Sequence, residues 1–225
     1  MPRPLVYGVM AEFDDPSSLV AAANRARILT AAAAAVRRHG AKVPMASIAD
    51  DAGVGVGTLY RHFRTRTELL AGLEQRSYRL ILEHAQRAAA RTEPAIASLA
   101  YFLERIIEDR DHLFLPLHGG HISFDKHTVA VRTEITDALE QVFARGRDDS
   151  SVRPDASAID IIVTGAFLTT PLPNAPDWDQ IARRQARIFL AGLASSNDAL
   201  LPGSRPTRQH LEEGFSASMG RRPRR

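Results

Sequence analysis

The chain has 225 residues, of which 44% are hydrophobic and 24% charged, and its formal net charge is +3. This composition is typical of a globular protein that can bury a sizeable core. The absence of cysteine excludes a disulfide scaffold, a thiolate metal site and a cysteine nucleophile, and it fits a reducing compartment. Because no apolar run approaches the roughly 20 residues that span a bilayer, we predict a cytoplasmic location and no membrane partner.

The charges are unevenly distributed along the chain. Residues 24–66 hold eight basic residues and two acidic ones, and residues 205–225 hold six arginines and two glutamates. The rest of the sequence is therefore net acidic. Positive charge concentrated in a small unit favours a polyanionic partner, nucleic acid before membrane.

Three helices are predicted in the basic unit. The stretch "RARILTAAAAAVRRHG" has the alanines of a helix and a closing Gly40, and this helix is entered from Ser17 or Ser18. A short helix follows in "PMASIADDAG", which ends before Gly53. In "VGTLYRHF" the apolar residues fall on one face of a third helix.

Two short helices around a glycine-containing turn predict a helix-turn-helix, whose second helix enters the DNA major groove. The polar residues after the turn lie largely off the apolar face, where hydroxyl and guanidinium groups can contact phosphates or bases. The predicted DNA-binding residues are Lys42, Gly57, Thr58, Tyr60, Arg61, His62 and Arg66.

The motif "IADDAGVGVGTLYRHF" and its surroundings resemble the DNA-binding domain of the tetracycline-repressor (TetR) family over roughly 45 residues. Gly55 departs from the Ser or Thr that often caps the recognition helix, and Arg66 departs from the usual Lys. The resemblance implies that Tyr60 and Arg66 contact phosphates. It also implies a homodimer that binds a double-stranded DNA operator and a small-molecule ligand.

The remaining sequence has a helical pattern without strand alternation. Thr65 and Glu68 have capping-box spacing at the start of a long helix. The predicted helices span residues 66–91, 94–109, 124–145, 155–170 and 177–195. Their arrangement resembles the ligand-binding and dimerising half of the TetR family, and two stretches resemble its SbtR-like branch. The expected fold is all-α, with a three-helix helix-turn-helix domain followed by a helical ligand-binding and dimerisation domain.

The predicted organisation has four parts. They are an N-terminal extension (1–20), the helix-turn-helix domain (21–66), the ligand-binding and dimerisation domain (67–200) and a basic disordered tail (201–225).

Two sets of apolar and polar residues are candidates for the functions of the second domain. The predicted dimer interface lies on the last two helices and consists of Ile159, Val163, Phe167, Trp178, Ile181 and Phe189. The predicted ligand-binding residues are Tyr78, Tyr101, Phe102, Phe114, His118, His121 and Phe143.

Histidines cluster in "HLFLPLHGGHISFDKH", residues 112–127, near Asp111 and Asp125. Imidazole and carboxylate groups can bind metals, so a metal sensor or a metal-dependent enzyme is the alternative function. No nucleophile elbow, phosphate loop or HExxH motif is present.

The preferred function is therefore a repressor that a ligand releases from its operator. We expect no enzymatic activity, no resident metal and no cofactor. An activator or a co-repressor-dependent regulator remains open within the same class.

Overall fold

The computed structural model describes residues 16–115, 123–172, 175, 177–194, 200–210 and 213. These residues contain no β-strand, which fits the all-α prediction. Within them lie α1 (Pro16–His39), α2 (Met45–Asp51), α3 (Val56–His62), α4 (Arg66–Ala89), α5 (Ala95–Glu108), a 3-10 turn (Arg110–His112), α6 (Lys126–Asp148), α7 (Ala158–Leu168) and α8 (Trp178–Leu193).

Glycines end the first two helices, as the sequence predicts. Gly40 and Gly53 have φ values of +76° and +61°, in the left-handed region that glycine adopts without steric cost. Gly55 begins α3 in an extended conformation without a side-chain cap. The turn from α2 to α3 therefore forms a helix-turn-helix, and this corner places the start of α3 on the outside of the domain.

Two hydrophobic cores lie along the chain. The first core joins α1, α2 and α3 and includes the fully buried Ile28, Ile48 and Leu59. The second core joins α4 to α8 and includes Phe102 and Phe143, which are also fully buried. The basic and acidic parts of the sequence therefore correspond to separately packed helical units.

Helix α4 belongs to both cores. Its first turns place Leu69 and Leu73 in the first core, and its later turns place Tyr78 and Ala85 in the second. The predicted cap is present, because the Thr65 side chain accepts from the Glu68 backbone N–H. The Glu68 carboxylate accepts from the backbone N–H of Arg64, one residue earlier than in an ideal capping box.

A three-residue segment after the 3-10 turn also joins the two cores. Leu113 and Leu115 pack in the second core, whereas Phe114 between them packs in the first. This alternation follows from an extended backbone, in which successive side chains point to opposite sides. We call residues 113–115 the strap.

Helix α1 is long and apolar enough to cross a membrane, although the sequence analysis predicted that no segment would be. Ser17–His39 passes that test by length and composition, and a third of its most apolar window is buried. The expectation was wrong because the alanine run raises the hydropathy of α1. Burial of Ile28, Leu29 and Ala32 in the first core accounts for these apolar residues in the folded chain.

The beginning of the predicted disordered tail is docked on the second unit. Residues 200–210 are described, and Leu201, Arg205 and Arg208 contact residues of α6 or of the loop before α7. Residues 201–210 are therefore ordered in the structure, although the sequence predicted disorder from residue 201 onward. The prediction rested on composition, and composition does not reveal the individual hydrogen bonds and ion pairs that hold this segment on the second unit.

Candidate DNA-binding surface

Helix α3 presents one apolar face to the first core and the other face outward. Leu59 is fully buried, whereas Tyr60 is 45% exposed and Arg61 is exposed. A Cβ added at Gly57 would meet no atom within 4 Å, so the start of α3 is open on this side. Thr58 and His62 are half-buried at the edges of the same face.

The basic residues of the first unit fall into two groups. The first group has partners within the protein. The Arg25 guanidinium lies 5.1 Å from the Phe63 ring centroid, Arg27 donates to the Gly53 carbonyl at 2.9 Å, and Arg38 pairs with Asp51 at 3.3 Å. These arginines hold helices together, so they account for part of the charge that first indicated a polyanion.

The second group consists of Lys42, Arg61 and Arg64, whose side chains are exposed and have no partner among the described residues. Lys42 lies in the loop between α1 and α2, Arg61 lies on α3, and Arg64 follows α3. Such unpaired cations beside the open start of α3 are suited to bind the phosphate oxygens of DNA. The sequence alone did not separate these residues from the structural arginines.

Arg66 differs from the other predicted DNA contacts. It is half-buried, and its Nη1 donates to the carbonyls of Ala41 and Val43, at 2.9 Å for Ala41. These bonds fix the loop that carries Lys42. The other guanidinium N–H groups leave a phosphate contact possible, so that role stays a prediction.

The predicted ligand-binding residues do not share one surface. Tyr78, Phe102 and Phe143 are buried in the second core, whereas Phe114 belongs to the first. Tyr101 is half-buried beneath the guanidinium of Arg91, 4.7 Å from its ring centroid. His118 and His121 lie outside the described residues. A ligand role for this set stays a prediction, with its geometric support confined to the residues of the second core.

His84 is a polar residue of the second core that the sequence analysis missed. Its side chain is 5% exposed, and its Nε2 lies 2.7 Å from a carboxylate oxygen of Asp109. Its Nδ1 is buried and has no hydrogen-bond partner in the described part of the chain. A buried polar atom left unpaired costs about 1–3 kcal/mol, so such atoms commonly meet water or a ligand. The polar positions of α4 at Glu74, Ser77 and His84 were the available signal.

The predicted interface residues are exposed to very different degrees. On α7, Phe167 is 63% exposed and Val163 is exposed, whereas Ile159 is buried. On α8, Ile181 is exposed and Phe189 is half-buried against the second core. The half-buried Trp178 donates from its indole N–H to the Leu168 carbonyl at 2.9 Å, which joins α8 to α7 within one chain.

Ile188 completes the outward apolar face of α8. It is 55% exposed and lies about two helical turns after Ile181, on the same face of α8. We call Val163, Phe167, Ile181 and Ile188 the α7–α8 patch. Exposed apolar residues grouped on adjacent helices mark an interaction surface.

The histidine-rich stretch has no assembled metal site in its described part. Across the described residues, no three His, Asp or Glu side chains converge at one point. His112 and His127 are exposed on separate elements, and the intervening His118 and His121 are outside the description. No geometry therefore supports the metal-dependent alternative.

A glycine-cornered helix-turn-helix with free cations, joined to a helical body, defines a DNA-binding transcriptional regulator. The family model described as "Bacterial regulatory proteins, tetR family" matches residues 28–73, which cover α1 from its middle to the first turns of α4. The match identifies residues 28–73 as a DNA-binding domain of the kind found in this family.

Relatives and solved structures extend the similarity beyond the first unit. The chain is 27% identical over 194 residues to the HTH-type transcriptional repressor KstR of Rhodococcus jostii, covering 84% of this chain and 88% of that protein. It is 26% identical to a TetR transcription regulatory protein of Mycobacterium vanbaalenii, with a TM-score of 0.57, covering 80% and 99% of the two chains. AibR, solved with isovaleryl coenzyme A and operator DNA, has the same fold with 17% identity, a TM-score of 0.60 and coverage of 76% and 98%.

Proposed function

We propose that the protein is a transcriptional repressor that binds a palindromic operator as a homodimer and is released by a small-molecule ligand. The observation that carries this proposal is the open, cation-bearing face of α3. Repression is the function printed for the KstR relative, which aligns with most of both chains. A regulator of bacterial genes works where the DNA lies, so we place it in the cytoplasm.

The DNA contacts divide into two kinds. Tyr60 and Lys42 hold phosphates, because a phenol O–H and an ammonium group donate to phosphate oxygens without reading sequence. Arg61, on the outward face of α3, reads bases in the major groove, where its guanidinium matches the acceptors of guanine. Gly57 lets the start of α3 approach the DNA closely, since no side chain stands there.

The dimer forms through the α7–α8 patch. Large apolar side chains exposed to water gain free energy when a partner covers them, at about 25 cal/mol per Å². In an antiparallel or twofold arrangement the same patch serves both copies, as a closed symmetric dimer requires. The contribution of Ile159, Trp178 and Phe189 to the dimer is then indirect, because these residues hold α7 and α8 in place within each chain.

The ligand binds in the second core, between α4, α5 and α6. Tyr78, Phe102 and Phe143 supply apolar walls there, and the unpaired Nδ1 of His84 supplies a polar contact. A pocket that is mostly apolar with few polar groups suits a small organic molecule.

Two connections carry the ligand's effect to the DNA. One is α4, which is packed in both cores. The other is the strap, because Phe114 is packed against the first core and its backbone N–H donates to Ser77 Oγ at 2.7 Å. Arg37 of α1 also pairs with Asp111, directly before the strap, at 3.2 Å. The ligand favours a different packing of α4 and the strap. In that state the spacing of the two α3 helices in the dimer no longer matches successive major grooves of the DNA.

The test is a footprint of the protein on the DNA upstream of its own coding sequence. Binding is expected to protect an inverted repeat, and Arg61→Ala should abolish the protection while preserving the fold by circular dichroism. Arg79→Ala, at an exposed cation of α4 to which no DNA contact is assigned, is the matched control and should leave the protection unchanged. A protein that protects no DNA at low salt would refute the proposed function.

A further inference from the structure

The 3-10 turn after α5 is held in shape by its own backbone. The backbone N–H of His112 donates to the Asp109 carbonyl at 2.8 Å, and that of Leu113 donates to the Arg110 carbonyl at 3.1 Å. Because such a turn has three residues per turn, successive side chains point about 120° apart. Asp109, Arg110 and Asp111 therefore each face a different neighbour. We call residues 109–111 the junction.

Asp111 ties the junction to the first unit, which carries α3. Its carboxylate lies 3.2 Å from Nη1 of Arg37, in the last turn of α1, and its backbone carbonyl accepts a hydrogen bond from the same nitrogen. The carbonyl cannot rotate away as a side chain can, so the two contacts fix the end of α1 more closely than an ion pair alone. Helix α1 in turn packs in the first core through Ile28 and Ala32.

Arg110 ties the junction to the beginning of α8. Its guanidinium pairs with Asp179, in the first turn of that helix. One turn later, Arg183 of α8 pairs with Glu104 of α5. Ile181 of the α7–α8 patch lies between these two pairs in sequence. The part of α8 that begins the proposed dimer interface is therefore fastened to the end of α5 and to the junction.

Two adjacent residues thus connect the proposed dimer interface with the DNA-binding helices. The path from α8 to α1 runs through Arg110 and Asp111, whose Cα atoms are about 3.8 Å apart. On a third side, Asp109 lies 2.7 Å from the buried His84 of α4. A segment held on three sides restricts the tilt of the first unit relative to α8. This path is separate from α4 itself, which carries no residue of the α7–α8 patch.

Resting on the proposed function, we propose that Arg110 and Asp111 are positioning residues that set the half-site spacing which the dimer recognises. In a twofold dimer, a change in the angle between α8 and the first unit moves both α3 helices. One added base pair separates the half-sites by about 3.4 Å more and rotates one of them by about 35° around the DNA axis. A fixed angle therefore rejects repeats of other spacing, although neither residue touches DNA.

The exposure of the two contacts limits the size of the effect. The side chains of Asp111 and Asp179 are 56% and 55% exposed. Ion pairs with such exposure change an equilibrium by up to about fivefold. A contact can bias a conformation by no more than its own interaction free energy. Breaking either contact should therefore weaken the preference for one spacing without abolishing DNA binding.

The experiment uses the full-length protein and the inverted repeat that it selects from random duplexes. Fluorescence anisotropy measures affinity for that repeat, for repeats with one base pair added or removed, and for a single half-site. In Asp111→Asn and in Asp179→Asn we expect the preference for the selected spacing to fall by about two- to fivefold per subunit, with half-site affinity unchanged. Asp111→Glu and Asp179→Glu keep the charge and should retain most of the preference. Glu83→Gln breaks an exposed ion pair within α4, so it is the matched control and should behave like the parent.

The double variant Asp111→Asn with Asp179→Asn distinguishes a connection from two independent stabilising contacts. Two links in series fail when either one is broken. The double variant should therefore lose no more preference than the more strongly affected single variant. Independent contacts would add their effects, so additive losses would overturn the inference.

Three further results would contradict it. Single variants with the parent's spacing preference would show that the junction does not position the first unit, while the proposed function stands. Equal losses of affinity for the half-site and for the repeat would place the effect within the first unit. A parent that prefers no inverted repeat over a half-site would overturn the proposed function together with the role of the junction.

Discussion

At the scale of single residues, Gly53 and Gly57 are glycine for different reasons. Gly53 has a positive φ, and a Cβ there would lie 2.6 Å from the Arg27 guanidinium. Gly57 has ordinary helical surroundings with open space around it. The fold therefore needs glycine at position 53, whereas at position 57 only the approach of a partner explains it.

Gly57→Ala separates folding from DNA binding. Alanine is the better helix former by up to about 1 kcal/mol, so the free energy of unfolding should stay equal or rise. In the proposed complex the added methyl group stands on the face that meets DNA, so affinity for duplex DNA should fall several-fold. Urea unfolding and anisotropy measure the two effects. Unchanged DNA affinity in a stable variant would remove the close approach from the account.

Single residues also show where the sequence had no signal. The exposed Tyr60 and Arg61 followed from helical periodicity around Leu59, because a helix with one apolar face fixes the direction of the other. The partners of Arg25, Arg27 and Arg66 did not follow, since they depend on packing between helices far apart in sequence. Composition counts every arginine as a free charge, and only the structure distinguishes the two kinds.

At the scale of elements, helix boundaries were the most predictable feature. The sequence predicted helices at 66–91, 94–109 and 177–195, and the structure has them at Arg66–Ala89, Ala95–Glu108 and Trp178–Leu193. Caps and prolines are local signals, so they need no knowledge of the fold. The strap was not recognised from the sequence, because its side chains pack in two cores that the sequence does not reveal.

Asp125 shows how a local signal stabilises an element. It caps α6 by accepting from the Thr128 backbone N–H at 2.9 Å and from the Thr128 hydroxyl at 2.7 Å. The Ser123 hydroxyl also donates to it, and these bonds hold the pKa of the Asp125 carboxyl well below its usual range. The charged form is the one that the folded state stabilises.

The stability due to Asp125 should therefore depend on pH. Because its folded pKa is depressed, the contribution is present above the unfolded value of about 3.9 and is lost as pH falls through the folded value. Asp125→Ala should cost about 1 kcal/mol at pH 7, the usual value for a lost cap. Urea titrations at pH 7 and pH 3 measure the difference between parent and variant. A difference that grows at pH 3 would contradict the capping role.

Phe114→Ala tests whether the strap supports the first core. Removing a buried phenyl ring leaves a cavity that typically costs 3–5 kcal/mol. Although residue 114 follows α5 in sequence, its ring packs in the first core, so faster hydrogen exchange is expected in the helices of that core. Leu115→Ala is the matched control and should speed exchange in the second core instead. Faster exchange confined to α5 and α6 in both variants would contradict the two-core packing.

At the scale of the whole molecule, the α7–α8 patch is the surface through which the proposed dimer forms. Phe167 and Ile188 are the most exposed members of this patch. The sequence predicted Trp178 and Phe189 as interface residues, and both pack on the second core of the same chain, so an interface role for them stays a prediction. Periodicity alone cannot divide an apolar helix between its own core and a partner.

The double change Phe167→Asp with Ile188→Asp should convert dimers to monomers. Burying unpaired carboxylates in an interface costs far more than it costs to leave them in water. Light scattering should give about half the parent's mass, with helical content retained. Val20→Asp, at an exposed apolar residue of α1, is the control and should remain dimeric. Persistent dimers in the double variant would move the interface elsewhere.

In the proposed function a dimer spaces two α3 helices for DNA under the control of the helical body, and DNA selection tests this proposal most directly. The full chain is incubated with a pool of random duplexes, and bound DNA is amplified and sequenced over several rounds. We predict enrichment of an inverted repeat whose half-sites lie about one helical turn apart, 10–10.5 base pairs centre to centre. A pool that shows no enrichment, or one that enriches a single unrepeated half-site with the parent dimer, would contradict the account.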